Sequence, residues 1–258
     1  MNVLDLFSGI GGFSLGLERA GMRTVAFCEI DPYCRRVLAK HWPGVPCYDD
    51  VRSLTAERLA ADGIAADVIC GGFPCQDISL AGAGRGLEGD RSGLWFEYAR
   101  IIGELRPSIV IVENVAELLG RGLGVVLGSL AEIGFDAEWH CIPAAAIGAP
   151  HIRDRVWIVA YPHSSRLAGQ GQAISLSAPR AGTREWDAIA EAISNDFRGP
   201  GTGRSTPYQP FIRRGDDGFQ DWRHRIASLG NAVVPQIPEI IGRAIMSASV
   251  KASDQRKE

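Results

Sequence analysis

The chain has 258 residues, 46% hydrophobic and 22% charged, with a formal net charge of -3. That is enough apolar chain to bury a sizeable core, and it excludes a staple-dependent miniprotein, a mainly disordered polymer and, with no run of about 18 apolar residues, a bilayer-spanning helix. The charge is uneven: residues 1–150 carry 12 Lys+Arg against 19 Asp+Glu, whereas residues 151–225 carry 11 against 8, all eleven cations being arginine. A guanidinium fork suits phosphates and base edges, so nucleic acid is one candidate partner, although an arginine-rich composition alone gives the same count.

Up to residue 160, short apolar runs alternate with amphipathic stretches, the pattern of a parallel sheet with crossover helices. Strands are predicted at 3–6, 24–28, 68–70, 109–112, 137–142 and 156–160. Asp31-Pro32 reads as a helix start, a capping carboxylate before a proline at the first helical position. A further helix is expected over 94–105, stopped by Pro107. The last two strands have no helix between them, and the stretch 143–150 turns the chain, so they are expected to form an antiparallel hairpin at a sheet edge. From 162 to 210 Ser, Gly, Pro, Thr and Arg dominate, marking a loop-rich insert, and order returns at Ile226 with a C-terminal helix over 233–248. The chain thus divides into a core over 1–160, an insert over 161–225 and a returning segment over 226–258. Six cysteines form no CxxC pair and have no histidine cluster beside them, and the MNVLDLF start has no leader pattern. A reducing, cytoplasmic protein without a metal site is expected.

The run Asp5-Leu-Phe-Ser-Gly9-Ile-Gly11-Gly12 follows a strand and opens a helix, where backbone without Cβ atoms can approach a ligand. The same glycines would also serve a tight turn alone. Glu29, at the end of the second strand, can accept both hydroxyls of a ribose, and Asp50-Val51 can meet an adenine at the next strand end. Ser14 stands where a dinucleotide fingerprint wants its third glycine, so a nucleoside without a pyrophosphate is the better fit. After the strand at 68–70 comes Gly71-Gly-Phe-Pro74-Cys75-Gln76, a cysteine held by a proline at the sheet's carboxyl edge, as a nucleophile would be. Five glycines and two arginines follow before Leu94, the composition of a closing lid. Glu113-Asn114-Val115 closes the strand at 109–112 and brings a carboxylate to the same edge.

DLFSGIGGFSLGLERAG, EID, DDV, GGFPCQDISLAG, ENV, HIRDR and GNAVVPQ occur in this order, and with them the chain resembles the DNA cytosine-5 methyltransferases. The resemblance implies an α/β fold, the Rossmann-like class I S-adenosylmethionine-dependent methyltransferase, with a mostly parallel sheet, an antiparallel edge hairpin and a small target-recognition region at 161–225. It implies S-adenosylmethionine against Phe7, Gly9, Ile10, Gly11 and Gly12, with Glu29 on the ribose and Ile30, Asp50 and Val51 around the adenine. Pro74, Leu94, Asn231 and Ala232 complete that pocket. Cys75 matches the nucleophile that adds to C6 of a flipped cytosine in double-stranded DNA, Glu113 the acid that bonds N3, and Arg153 and Arg155 the cations that hold the base and lid. A monomer is expected.

Three features depart from the family pattern. His151 stands where glutamine is usual, no RLQGFP-like segment precedes GNAVVPQ, with Arg213 and Arg214 as stand-ins, and the variable stretch 161–222 is short. Recognition is therefore brief, unusual or shared with another chain. A catalytically idle DNA-binding relative and an RNA cytosine-5 methyltransferase remain as alternatives.

Overall fold

In the computed structural model the described residues are 1–74, 93–147, 153–163 and 231–254. Cys75, the glycine-rich stretch before Gly93, His151, Arg213, Arg214 and nearly all of the region 161–225 lie outside them.

Among the described residues, seven strands form one sheet: β1 (Asn2–Leu6), β2 (Arg23–Cys28), β3 (Cys47–Tyr48), β4 (Val68–Gly71), β5 (Ile109–Val115), β6 (Phe135–Pro143) and β7 (Asp154–Pro162). Their order is β3-β2-β1-β4-β5-β7-β6. The first five are parallel, and β7 runs antiparallel to both β5 and β6, which gives the expected edge hairpin.

Alternation along the inner strands explains why they read as continuous apolar runs. Leu4, Leu6, Ile69, Val110 and Val112 enter one buried cluster, whereas Val3, Val68, Cys70, Ile109 and Ile111 enter another. Each strand therefore needs hydrophobic cover on both faces. One face is covered by α3 (Ala56–Ala61), α4 (Leu94–Leu105) and α6 (Leu123–Glu132), with Trp95, Tyr98, Ile102, Val126 and Leu130 fully buried. The other is covered by α1 (Gly12–Arg19) and α7 (Gln236–Asp254) through Phe13, Leu17, Ile237 and Ile241.

Asp31 caps α2 (Pro32–His41), accepting from the backbone N–H groups of Tyr33 and Cys34. The returning chain lies hard against α1: a Cβ on Gly16 would stand 2.2 Å from the Pro235 carbonyl oxygen. Only glycine at that position lets the C-terminal segment reach the first helix.

Several boundaries differ from the sequence reading. β5 runs on to Val115, so Glu113 and Asn114 lie within the strand rather than after it, their polar side chains having ended the apolar pattern early. The C-terminal helix starts at Gln236 rather than at residue 233, because Val233 and Val234 carry no regular structure and Pro235 turns the chain into the helix. Pro238 is harmless in the first turn, where its missing N–H would have no partner in any case. Three elements escaped the pattern, α3, the short α5 (Leu118–Arg121) and α6, and the two-residue β3 was expected only as the strand end before Asp50. Among the described residues no helix is long and apolar enough to cross a membrane.

Candidate active site

The carboxyl ends of β1 to β5 share one edge, and the sheet order reverses between β1 and β4, the place where an open α/β sheet leaves a crevice. Phe7 and Gly9 follow β1 with φ of 52° and 54°, and Gly11, at 89°, is the N-cap of α1. Gly11 donates its backbone N–H to the Ser8 carbonyl, closing the turn at 2.8 Å.

Glu29 secures this loop to the end of β2. Its Oε2 accepts from the Gly9 backbone N–H at 2.7 Å, and its Oε1 accepts from that of Asp31 at 2.8 Å. The sequence suggested a ribose acceptor; the carboxylate is already a brace between two backbone turns, with one further lone pair on each oxygen. Beside it Ile30 is 66% exposed, a large apolar side chain facing outward at the same edge. Asp50 caps the turn Val51–Ser53, and hydrogen bonds from Arg52 hold its carboxyl below the usual carboxylate range. Val51 is buried, the Phe7 ring lies tilted against Tyr98 with 5.9 Å between centroids, and Leu94 opens α4.

A second group of side chains forms across β4, β5 and β7. Arg155 pairs with Val115, and Glu113 lies two residues back on β5, so the diagonal puts both charged groups on one sheet face. Arg155 Nε donates to Glu113 Oε1 at 2.9 Å. Burial pushes the Glu113 carboxyl up, while Arg155 and then Arg153 oppose the shift. Arg153, two residues from Arg155, donates to the Asn231 carbonyl at 3.1 Å; burial and the neighbouring Arg155 lower its affinity for its proton. The carboxylate fits because residue 72 is glycine: a Cβ there would stand 2.7 Å from Glu113 Oε2. Asn114 Nδ2 donates to the Phe73 carbonyl at 3.1 Å and so ties the loop that carries Pro74 to β5.

A cleft of about 970 Å³ opens beside this group, lined by Ile10, Gly11, Gly12, Arg153, Arg155 and Ala232, and also by Leu15 and Glu117. It joins one part of the expected cofactor set to the two arginines. Phe7, Gly9, Glu29, Ile30, Asp50, Val51, Pro74 and Leu94 are not in its lining. Asn231 is exposed and reaches the site through Arg153. The sequence reading missed Gly72, Asn114, Leu15 and Glu117; for the first two the signal was at hand, since they adjoin the Pro-Cys and Glu residues it did single out.

Residues 1–195 match the family model described as C-5 cytosine-specific DNA methylase. The chain belongs to this family. The type II methyltransferase M2.BsuMI of Bacillus subtilis is 38% identical over 168 residues, which is 62% of this chain and 42% of that protein. M.DsaV of Dactylococcopsis salina is 32% identical over 166 residues, 62% and 46% of the two chains. The chain thus spans less than half the length of either relative. A prophage-encoded E. coli protein described as a DNA modification methyltransferase shares the fold, with a TM-score of 0.66 at 20% identity over 97% of this chain and 99% of that one. The methylase fold here is that of the class I S-adenosylmethionine-dependent methyltransferases.

Proposed function

We propose that the chain transfers the methyl group of S-adenosylmethionine to C5 of a cytosine flipped out of double-stranded DNA, through a covalent Cys75 adduct. The observation that carries this reading is Glu113, a buried carboxyl on the edge reached by the Pro74 loop, whose burial favours its proton while Arg155 fixes its orientation.

The residues at the β1 and β2 ends fit the cofactor. Phe7, Gly9, Ile10, Gly11 and Gly12 offer close backbone, Glu29 keeps unused lone pairs for a ribose, and Ile30 offers an apolar face to an adenine beside Asp50 and Val51. Pro74, Leu94, Asn231 and Ala232 border the same edge in this proposal. Bound there, S-adenosylmethionine supplies an electrophilic methyl group on a sulfonium.

Cytosine C5 is a weak nucleophile until C6 is attacked. The Cys75 thiolate forms the S–C6 bond, the ring electrons move through C5 to N3, and N3 takes the proton offered by Glu113. C5 is then an enamine carbon able to accept a methyl. Loss of the C5 proton to a base returns the electrons to C5=C6, the S–C6 bond breaks, and N3 gives its proton back to Glu113. Arg153 and Arg155 orient the carboxyl and the base. Such chemistry cannot proceed inside a stacked duplex, so the target must leave the helix. The stretch 161–225 serves as the recognition region, the working state is a monomer and the setting is the cytoplasm.

A duplex carrying fluorine at cytosine C5 tests the whole reading. Fluorine cannot leave as a cation, so elimination stalls and protein and DNA stay bonded through denaturation, given S-adenosylmethionine. Cys75→Ser abolishes that band, since a hydroxyl is far less ionised than a thiol near neutral pH. A chain that methylates ordinary DNA and never forms the Cys75-dependent adduct overturns the mechanism; trapping on fluorinated RNA alone overturns the substrate.

A further inference from the structure

Asp5 is the last residue but one of β1, completely buried, and takes no part in the chemistry above. Ser14 Oγ, in the first turn of α1, donates to its Oδ2 at 2.7 Å, the Ser14 backbone N–H also acts on the carboxyl, and among the described residues its Oδ1 has no hydrogen-bond partner of ordinary geometry. The Cys70 thiol on β4 faces the same carboxyl as a weak donor. Asp5 therefore touches both elements that the site depends on: the helix opened by the glycine loop and the strand that leads to Gly72 and Pro74.

Among the described residues the groups acting on it hold no positive charge. Besides Ser14 and Cys70 they are Glu29 after β2, Cys47 on β3 and Tyr98 on α4. Burial keeps the Cys70 thiol and the Tyr98 hydroxyl protonated, and Glu29 repels an anion. A neutral carboxyl that accepts from Ser14 at Oδ2 leaves an uncharged hydroxyl unmet at Oδ1, whereas a carboxylate leaves an uncompensated anionic oxygen in an apolar layer, the costlier of the two.

We propose that Asp5 is a positioning residue for the cofactor loop: its neutral carboxyl holds the start of α1 against the central strands, and its ionisation, although it strengthens the Ser14 bond, puts a charge in an apolar layer that is hydrated only when the start of α1 opens, which weakens cofactor binding. The inference rests on the cofactor reading above. The geometry agrees with the chemistry of the group, because burial pushes the Asp5 carboxyl up to about 7, the Ser14 hydrogen bond being the largest opposing effect. Binding competence then falls as the pH rises through neutrality.

Calorimetric titration with S-adenosylhomocysteine checks this. If only the protonated form binds, the dissociation constant of wild type rises by about 30-fold from about pH 6 to about pH 8.5, and that of Asp5→Asn by less than about threefold. Ser14→Ala gives an independent reading should Asp5→Asn fail to fold: the Ser14 bond favours the ionised form, so its loss moves the alkaline weakening to higher pH. A purely structural role would weaken binding at every pH without moving this limb. An equal alkaline loss in wild type and Asp5→Asn, or an unmoved limb in Ser14→Ala, overturns the inference while the cofactor reading stands. Absence of wild-type binding at both pH values overturns the cofactor reading and the inference with it.

Discussion

Asn114 Nδ2 donates to the Phe73 carbonyl oxygen at 3.1 Å, and both residues are buried. The same side chain accepts at Oδ1 from the Val115 backbone N–H at 2.7 Å, so its amide is oriented from both ends. The loop that ends at Pro74 is thereby fixed to the strand that carries Glu113.

Asn114→Ala leaves the Phe73 carbonyl without this donor, a loss of about 1–3 kcal/mol for a buried polar group. Urea unfolding reports that destabilisation. Turnover on DNA falls further than S-adenosylhomocysteine affinity, because the displaced loop precedes Cys75 rather than the glycine turn. Equal losses in both would show that the amide acts on the whole edge.

Gly72→Ala places a methyl group 2.7 Å from Glu113 Oε2, closer than real Cβ contacts come. The carboxyl must move, and with it the ion pair to Arg155. Single-turnover methylation drops by more than about tenfold, equivalent to roughly 1.4 kcal/mol at the transition state, while cofactor binding stays near wild type. An unchanged single-turnover rate would mean that Glu113 does not act where proposed.

The Glu113 carboxyl binds its proton more tightly in the folded chain than in the unfolded one. Its stabilising contribution is therefore present below the ordinary carboxylate range and is lost as the pH rises through the folded value. Urea midpoints at about pH 5 and about pH 8 separate the effect: wild type loses more stability across this span than Glu113→Gln does. Arg155→Gln removes the chief opposing charge, so the limb of the rate profile governed by Glu113 moves to higher pH.

Glu29→Gln keeps the shape of the brace between Gly9 and Asp31 but replaces one accepting oxygen by a donor. One of the two backbone N–H groups then faces a donor and the other keeps only a neutral acceptor, a loss of about 1.5–3 kcal/mol. S-adenosylhomocysteine affinity falls, and hydrogen exchange at Gly9 or Asp31 accelerates in the free protein. Weaker binding with no change in exchange would assign Glu29 to the ligand alone.

Much of this arrangement was legible from periodicity and punctuation. Asp31-Pro32 announced the start of α2, Pro107 the end of α4, and the missing helix before β7 the antiparallel hairpin. β3 was legible only as a strand end before Asp50, because two residues carry no alternation. The α5–α6 stretch is rich in glycine and apolar on several sides, so no stripe marks it. Within the site, single residues such as Glu29 and Glu113 could be nominated from motif and position, whereas the partners that orient them could not. The Glu113–Arg155 pair depends on strand register, and the Gly72 approach depends on how β4 lies against β5, neither of which is written in local sequence.

That register has a consequence for how the chain can vary. Arg155 faces Val115, and Asp154 is its neighbour on the opposite side of the strand. Removing a single residue from β7 would exchange the two, turning a guanidinium away from Glu113 and bringing a second carboxylate toward it. Attraction would become repulsion in one step, with no intermediate arrangement. A one-residue change within the paired residues therefore breaks the pair unless a bulge absorbs it, whereas changes outside the paired residues leave it intact, a constraint set by the pleat of the sheet.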